Sequence, residues 1–246
     1  MKLYRVEAIV LRTFDLGDGS KLLVLYSRQH GKIKAVAHGS AKPASKKRGA
    51  VQPFTRASFL LRRGGELDTV SQCEGLDMYP FLWSDVQKLA CASLVTELID
   101  AAGLEGEPCS ELYDLAVEVL SSMSEVDPWV CSHAFAIKCL ALTGYRPVTG
   151  ECASCGSKHL ENPRFSPGAG GAVCGSCAPA AVSFGCSGAA LKVLEVLLRW
   201  PISRLRRLRL DPRLKTEVSE IISSHAAHHL GRDLKSASFV QKITGV

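Results

Sequence analysis

Over the first eighty residues apolar positions recur at every second residue in short runs, and after Pro80 they recur at every third or fourth. The first rhythm belongs to β-strands, whose side chains alternate between two faces; the second belongs to amphipathic helices. Five runs read as strands: 3–14, 20–28, 32–38, 54–63 and 67–75. Leu-Gly-Asp-Gly (16–19) and His-Gly (30–31) supply the first two turns. Between the third and fourth strands runs GSAKPASKKRGA (39–50), which has no apolar residue larger than alanine or proline. Five short strands with one long connection predict a small β-barrel of the OB type.

The helical rhythm predicts a helix over 85–103 that stops at Gly103, and a second from Pro108 to Met123. Asp127-Pro128 caps and opens a third through about Thr143. A fourth follows Ser187 and halts before Pro201, and Asp211-Pro212 opens a fifth through about Leu230. The expected fold class is therefore α+β and multidomain. A barrel domain spans 1–80 and a helical domain spans 81–246, the latter interrupted by a cysteine-rich insertion at about 148–183.

Strand parity gives the barrel's faces different characters. In the third strand Ile33, Ala35 and Ala37 share one face, and Lys32, Lys34 and His38 share the other. In the fourth, Ala57, Phe59 and Leu61 oppose Arg56 and Arg62. The long connection adds Lys42, Lys46, Lys47 and Arg48. Charge is segregated along the chain: residues 1–80 hold 14 Lys and Arg against 7 Asp and Glu, and residues 81–150 hold 3 against 10. Residues 186–246 return to 11 against 5. Such segregation is expected of a polyanion binder, whereas an ordinary solvated surface is the plainer explanation for any one stretch. No apolar run approaches the roughly 18 residues of a membrane span, and MKLYRVEAIVLRTF lacks the apolar block of a signal peptide. A cytoplasmic protein is expected.

Two Cys-x-x-Cys pairs, Cys152/Cys155 and Cys174/Cys177, stand eighteen residues apart. That spacing suits a four-cysteine zinc site, because each tight turn directs two thiolates at one ion. A redox pair would need one such motif at a helix start in a βαβ setting, which the pattern does not offer. With four protein ligands no position remains for water or substrate, so a structural zinc, one per chain, is expected. The other six cysteines are scattered and read as small hydrophobes. His225, His228 and His229 fall at helical spacing, where a polar helix face explains them more simply than a metal. No GxxxxGK[ST] loop occurs, and the His-x-Glu of a zinc deaminase is absent, since Ala134 and Phe135 follow His133. RLRRLRL (204–210) fits either a helix with Leu205 and Leu208 turned inward or a contact for DNA or an acidic peptide.

Three stretches carry a family resemblance: VEAIVLRTFDLGDGSKLLVLYSRQHGKIKAVAHGSAKPASKK, QPFTRASFLLRRGGELDTVSQCE, and GYRPVTGECASCGS with FSPGAGGAVCGSCA. The chain resembles the RecO family of bacterial recombination mediators in DNA repair. The resemblance implies a non-enzymatic protein that binds single- and double-stranded DNA and anneals complementary strands. With RecR, such proteins help RecA replace single-stranded-DNA-binding protein. It also implies DNA-facing roles for Lys32, Lys34, Lys42, Lys46, Lys47, Arg48, Arg56, Arg62 and Arg63. His38 stands where relatives often carry a basic residue. Arg204, Arg206, Arg207 and Arg209 are the expected receptor for the acidic, apolar tail of the single-stranded-DNA-binding protein. The alternative is a zinc-ribbon adapter in transcription or translation.

Overall fold

The structure, a computed structural model, describes residues 2–42, 45, 47–178 and 182–245. Its chain divides into two compact units. One takes the residues up to Asp85 together with Val95–Ser121, and the other takes Val86–Leu94 and everything from Ser122 onward.

The first unit is built on five strands, β1 (Leu3–Asp15), β2 (Lys21–Ser27), β3 (Gly31–Ala37), β4 (Arg56–Arg62) and β5 (Asp68–Asp77). They close into a barrel in the order β1-β2-β3-β5-β4. Long β1 pairs antiparallel with both β2 and β4, and its register with β2 shifts between Val10 and Arg12, an irregularity that bends the strand. A short parallel pairing of Ala35 with Asp68 and Val36 with Thr69 completes the circuit. Alternation puts Val6, Ala8, Leu25, Ile33, Phe59 and Leu61 in the interior. Ala50, the last residue of the polar connection, and Val51 after it belong to that core too. The turn after β1 needs Gly17, Asp18 and Gly19, all with positive φ.

One outer face of this barrel is covered within the same unit. Helix α1 (Val86–Ala102) enters it through its C-terminal half, and Tyr26 and Val24 on β2 are buried. Gly103 ends the helix so close to Tyr26 that a Cβ there would lie 2.8 Å from the ring. At Gly31, φ is 62° and a Cβ would lie 2.5 Å from the Glu107 carbonyl, so only glycine fits. Helix α2 (Ser110–Ser122) follows.

The second unit is helical: α3 (Pro128–Leu142), α4 (Gly188–Arg199), α5 (Pro212–Leu230) and α6 (Lys235–Thr244). Each of the first three is capped as its sequence suggests. Asp127 accepts from the Trp129 amide at 2.9 Å, Ser187 from Ala190 at 3.1 Å, and Asp211 from Leu214 at 3.0 Å. α6 has no side-chain cap at its start; Leu234 before it and Ala237 and Val240 within it are buried. RLRRLRL is not an α-helix: its first four residues end a run of 3₁₀ turns over Ile202–Arg207, with Leu205 buried. Among the described residues no helix is long and apolar enough to cross a membrane.

A polar chain crosses the interior of the helical unit. His133 Nδ1 lies 2.9 Å from the Trp129 carbonyl, which can only accept, so that nitrogen carries the proton. His133 Nε2 is then left to accept from the Ser219 hydroxyl at 2.8 Å, while Ser219 accepts from the Trp129 indole at 3.1 Å. A second proton on His133 would break this order. Burial pushes its pKa down to about 4 from 6.5, helped by the positive charge of Lys215. In the unfolded chain the imidazole takes a proton near pH 6.5, whereas the folded one refuses it until about pH 4. Stability should therefore be complete above pH 6.5 and fall progressively as pH drops toward 4. Urea melts across that window are expected to show the fall, and His133→Asn should be less stable at neutral pH yet lose stability less steeply in acid.

Candidate metal centre and nucleic-acid interface

The insertion between α3 and α4 folds into two cysteine turns and a three-stranded sheet, β6 (Arg164–Ser166), β7 (Gly171–Val173) and β8 (Phe184–Gly185), in the order β7-β6-β8. In the first turn the Gly156 amide donates to the Cys152 carbonyl at 2.8 Å, and Gly156 takes the left-handed conformation (φ 72°) needed to close it. In the second, the Cys177 and Ala178 amides both donate to the Cys174 carbonyl at 3.0 Å. The turns are brought together by backbone bonds from Ala153 to Ala172 (2.7 Å) and from Ala172 to Val148 (2.8 Å). Gly171 permits that approach, for a Cβ there would lie 2.2 Å from the Val148 carbonyl.

The outcome is that the sulfurs of Cys152, Cys155, Cys174 and Cys177 all lie within 4.8 Å of one another. A tetrahedral ion with metal–sulfur bonds of about 2.3 Å requires sulfurs about 3.8 Å apart, and Cys155 and Cys174 stand 3.9 Å apart. The Cys174 amide points at Cys152 Sγ (3.4 Å). That bond, with further amides of Cys155 and Ser154, draws the Cys152 thiol down to about 6. Hydrogen bonding with the thiols of Cys155 and Cys174 pushes Cys177 the other way, up to about 12. Four thiols this close resist accumulating negative charge, and a divalent cation would reverse that resistance. The donor set and its spacing fit a metal ion. Among the described residues this is the one cluster of its kind, and the three histidines of α5 do not form another. Two of them serve packing instead: His225 donates from Nε2 to the Tyr145 carbonyl at 2.9 Å and stacks edge-on to Phe165, while His229 stacks on Tyr145; His228 is exposed.

The basic residues expected to face DNA fall into two groups. Lys32 reaches the Asp100 carbonyl at 2.6 Å and its carboxylate at 3.3 Å; Lys34 pairs with Glu105 at 2.5 Å. Arg56 lies between Asp77 (3.1 Å) and Glu7 (3.7 Å). These three spend their charge inside the unit. Lys42, Lys47, Arg48, Arg62 and Arg63 have no acidic partner among the described residues. Lys42 lies over Gly19, Lys47 donates to the Val70 carbonyl at 3.0 Å, and Arg63 sits 5.1 Å above the Tyr4 ring. Lys46 lies outside the described residues. On the outer face of β1, β4 and β5 a groove of about 320 Å³ is lined by Arg5, Lys47, Ser58, Leu60, Ser71 and Gln72, together with Cys73 and Glu74. Sequence reading passed over Arg5, although its parity on β1, opposite Leu60 of β4, puts it on the face that Arg62 shares.

The four arginines after α4 are close in space but unequally engaged. Arg204 stacks on Trp200 at 4.1 Å, and Arg206 pairs with Glu125 at 3.1 Å. Arg209 donates to the carbonyls of Arg206 (2.8 Å) and Leu208 (3.1 Å). Arg206 and Arg209 line two cavities, of 450 and 780 Å³; the first also holds Trp129 and Lys215, and the second Trp200 and Arg207.

The cysteine cluster yields a direct expectation. Cys152→Ser or Cys174→Ser should abolish stoichiometric retention of a divalent metal, read by elemental analysis. Amide exchange across residues 148–183 should accelerate in the same variants while exchange in the barrel strands stays unchanged.

Residues 1–79 match the family described as recombination protein O, N terminal, and residues 84–238 match recombination protein O, C terminal. The chain is 47% identical over 243 residues to the DNA repair protein RecO of Pelotomaculum thermopropionicum, covering 98% of this chain and 95% of the relative. With the DNA repair protein RecO of Desulforudis audaxviator it shares 42% identity over 246 residues, 99% and 98% of the two chains. The corresponding protein of Desulforamulus reducens is 36% identical over 247 residues, 99% and 96%. With both of its domains and nearly its whole length matched, the chain belongs to the RecO family of DNA repair and recombination proteins.

Proposed function

We propose that the protein is a non-enzymatic, cytoplasmic and nucleoid-associated mediator. It binds single- and double-stranded DNA, anneals complementary strands and, with RecR, helps RecA replace single-stranded-DNA-binding protein. In this reading the barrel domain spans 1–80 and the helical domain 81–246, with the zinc ribbon at about 148–183. The observation that carries it is the positive charge on the open side of the barrel: Arg5 and Lys47 line the outer groove against the single carboxylate of Glu74, and Lys47, Arg48, Arg62 and Arg63 have no acidic partner among the described residues. Annealing asks little chemistry of a protein. Two polyanions must meet with their bases free, and a cationic surface that touches phosphates without reading bases lowers their repulsion at any sequence.

We assign the DNA path to the residues named for it by the family resemblance, with Lys42, Lys46, Lys47, Arg48, Arg62 and Arg63 as its main charges. Lys32, Lys34 and Arg56 shape the barrel beneath it through their ion pairs. The metal is zinc, held by Cys152, Cys155, Cys174 and Cys177. Four thiolates complete its tetrahedron, so its contribution is shape rather than reaction. The acidic and apolar tail of the single-stranded-DNA-binding protein would lie against Arg204, Arg206, Arg207 and Arg209, where cation and apolar wall adjoin at Trp200 and Trp129.

Annealing of two labelled complementary oligonucleotides without ATP tests the reading, first bare and then coated with single-stranded-DNA-binding protein. Both should anneal; failure on bare strands at low salt, with the protein folded and metal-loaded, would refute it. If about six phosphates are neutralised, log affinity for single strands should fall against log salt with a slope of about −4. Replacing Lys46, Lys47 and Arg48 together by alanine should flatten that slope by about 2, and an unchanged slope would remove the loop from the path. Alanine at Arg204, Arg206, Arg207 and Arg209 should abolish binding of the acidic tail peptide, measured by fluorescence anisotropy, and leave DNA affinity intact.

A further inference from the structure

Beside the basic connection stands an aromatic side chain that neither the groove nor the ion pairs use. Trp83 is 48% exposed, whereas Trp129 is buried and Trp200 already carries the Arg204 guanidinium. Its ring rests on Phe54, centroid to centroid 5.3 Å with the planes tilted 47°. Phe54 is itself buried and holds φ at 70°, a left-handed conformation that bulky residues avoid. Two hydrogen bonds to β1 keep it there: its amide donates to the Val10 carbonyl (2.8 Å), and the Val10 amide donates to Thr55 (2.9 Å). Tyr79 is left-handed as well (φ 43°), and it opens the 3₁₀ turn in which the Trp83 amide donates to the Pro80 carbonyl at 3.1 Å. Strained backbone on both sides of one exposed ring marks a presented side chain rather than a stray one.

The ring is joined to the cationic connection. Met78, 54% exposed, packs over Gly49 and Gly75, where added Cβ atoms would lie 3.3 Å from it. Thr55 Oγ1 donates to the Gly49 carbonyl at 3.5 Å, drawing the Phe54 end of the connection back to its Arg48 end. Lys47 and Arg48, which have no acidic partner among the described residues, are thus carried by the segment that floors Trp83. Unpaired cations beside an exposed aromatic face match a strand of phosphates with free bases better than they match an apolar protein surface.

We propose that Trp83, floored by Phe54, is a base-stacking platform for single-stranded DNA that continues the Lys47–Arg48 cationic path. The inference rests on the DNA-binding reading above and deepens it. Stacking accepts any base, since every base has a π face, and it is closed to a duplex, whose bases are already stacked and paired. The platform therefore favours single strands over double strands, which the cations cannot do alone.

The test uses the full-length, metal-loaded protein with oligo-dT, a duplex of equal phosphate number and inorganic polyphosphate as probes. Oligo-dT should quench the tryptophan fluorescence, and polyphosphate should not. Trp83→Ala should lose roughly 5-fold or more in affinity for oligo-dT, with duplex affinity and the salt slope unchanged; Trp83→Phe should retain most of the affinity while losing the quench. Wild-type affinity for oligo-dT in Trp83→Ala overturns the platform and leaves the DNA reading standing. Equal quenching by polyphosphate also overturns it, by reducing the effect to charge. Loss of a protein partner with oligo-dT affinity intact reassigns the face to protein docking and overturns it too. Should the wild-type protein bind none of the DNA probes, the DNA-binding reading falls first, and the platform with it.

Discussion

The carboxylate of Asp100 decides which part of the barrel's surface is available for anything else. It is 7% exposed and is held by Arg12 and by Lys32, whose ammonium also reaches the Asp100 carbonyl. A charge taken this far from water is tolerable only when paired and hydrogen-bonded, and removing either partner would strand the other. The pairing fastens the C-terminal half of α1 over β2 and β3, burying Tyr26 and Val24 beneath it. Glu105, beyond the helix, then takes Lys34. What remains open is the face of β1, β4 and β5 with the connection that follows β3, and there the basic residues outnumber their acidic neighbours.

A different constraint governs the ribbon. Among the described residues its apolar cluster consists of little more than Val173 and Ala178 with Leu160 and Ala169, besides the cysteines themselves. That is too little buried surface to order some thirty-five residues against their chain entropy. On the proposed reading a metal held by the four converging thiols substitutes for the missing core, because metal binding free energy is folding free energy where no preformed site exists in the unfolded chain. Phe165 provides a large apolar anchor, buried against His225 of α5. Two of the α5 histidines thereby find a use that needs no ion.

Period and punctuation in the sequence were enough to read the strands, the capped helices and the cysteine spacing, since each depends on residues close in the chain. Asp127, Ser187 and Asp211 act within three residues of themselves, and the alternation along 57–61 is visible without knowing what it packs against. Long-range compensation was not legible. Parity puts Lys32 and Lys34 on the outer face correctly, yet nothing local announces that Asp100 and Glu105, some seventy residues on, will meet them. The same holds for Arg206 and Glu125, 81 residues apart. α6 escaped because it is ten residues long, has no side-chain N-cap, and buries only Ala237 and Val240, while Phe239 stays exposed, so its apolar pattern is weak.

On the proposed reading, two kinds of contact with DNA divide the work by their response to salt. Phosphate contacts weaken steeply as salt rises, because their free energy comes from released counterions. Stacking has no such dependence and needs an unpaired base. A protein that held strands by charge alone would grip product duplex as firmly as its single-stranded substrate and would stall on it. One exposed ring beside a modest set of unpaired cations gives the opposite order. The base leaves Trp83 when it finds its complement, the stacking contribution is lost at that moment, and the annealed duplex is the form most easily released.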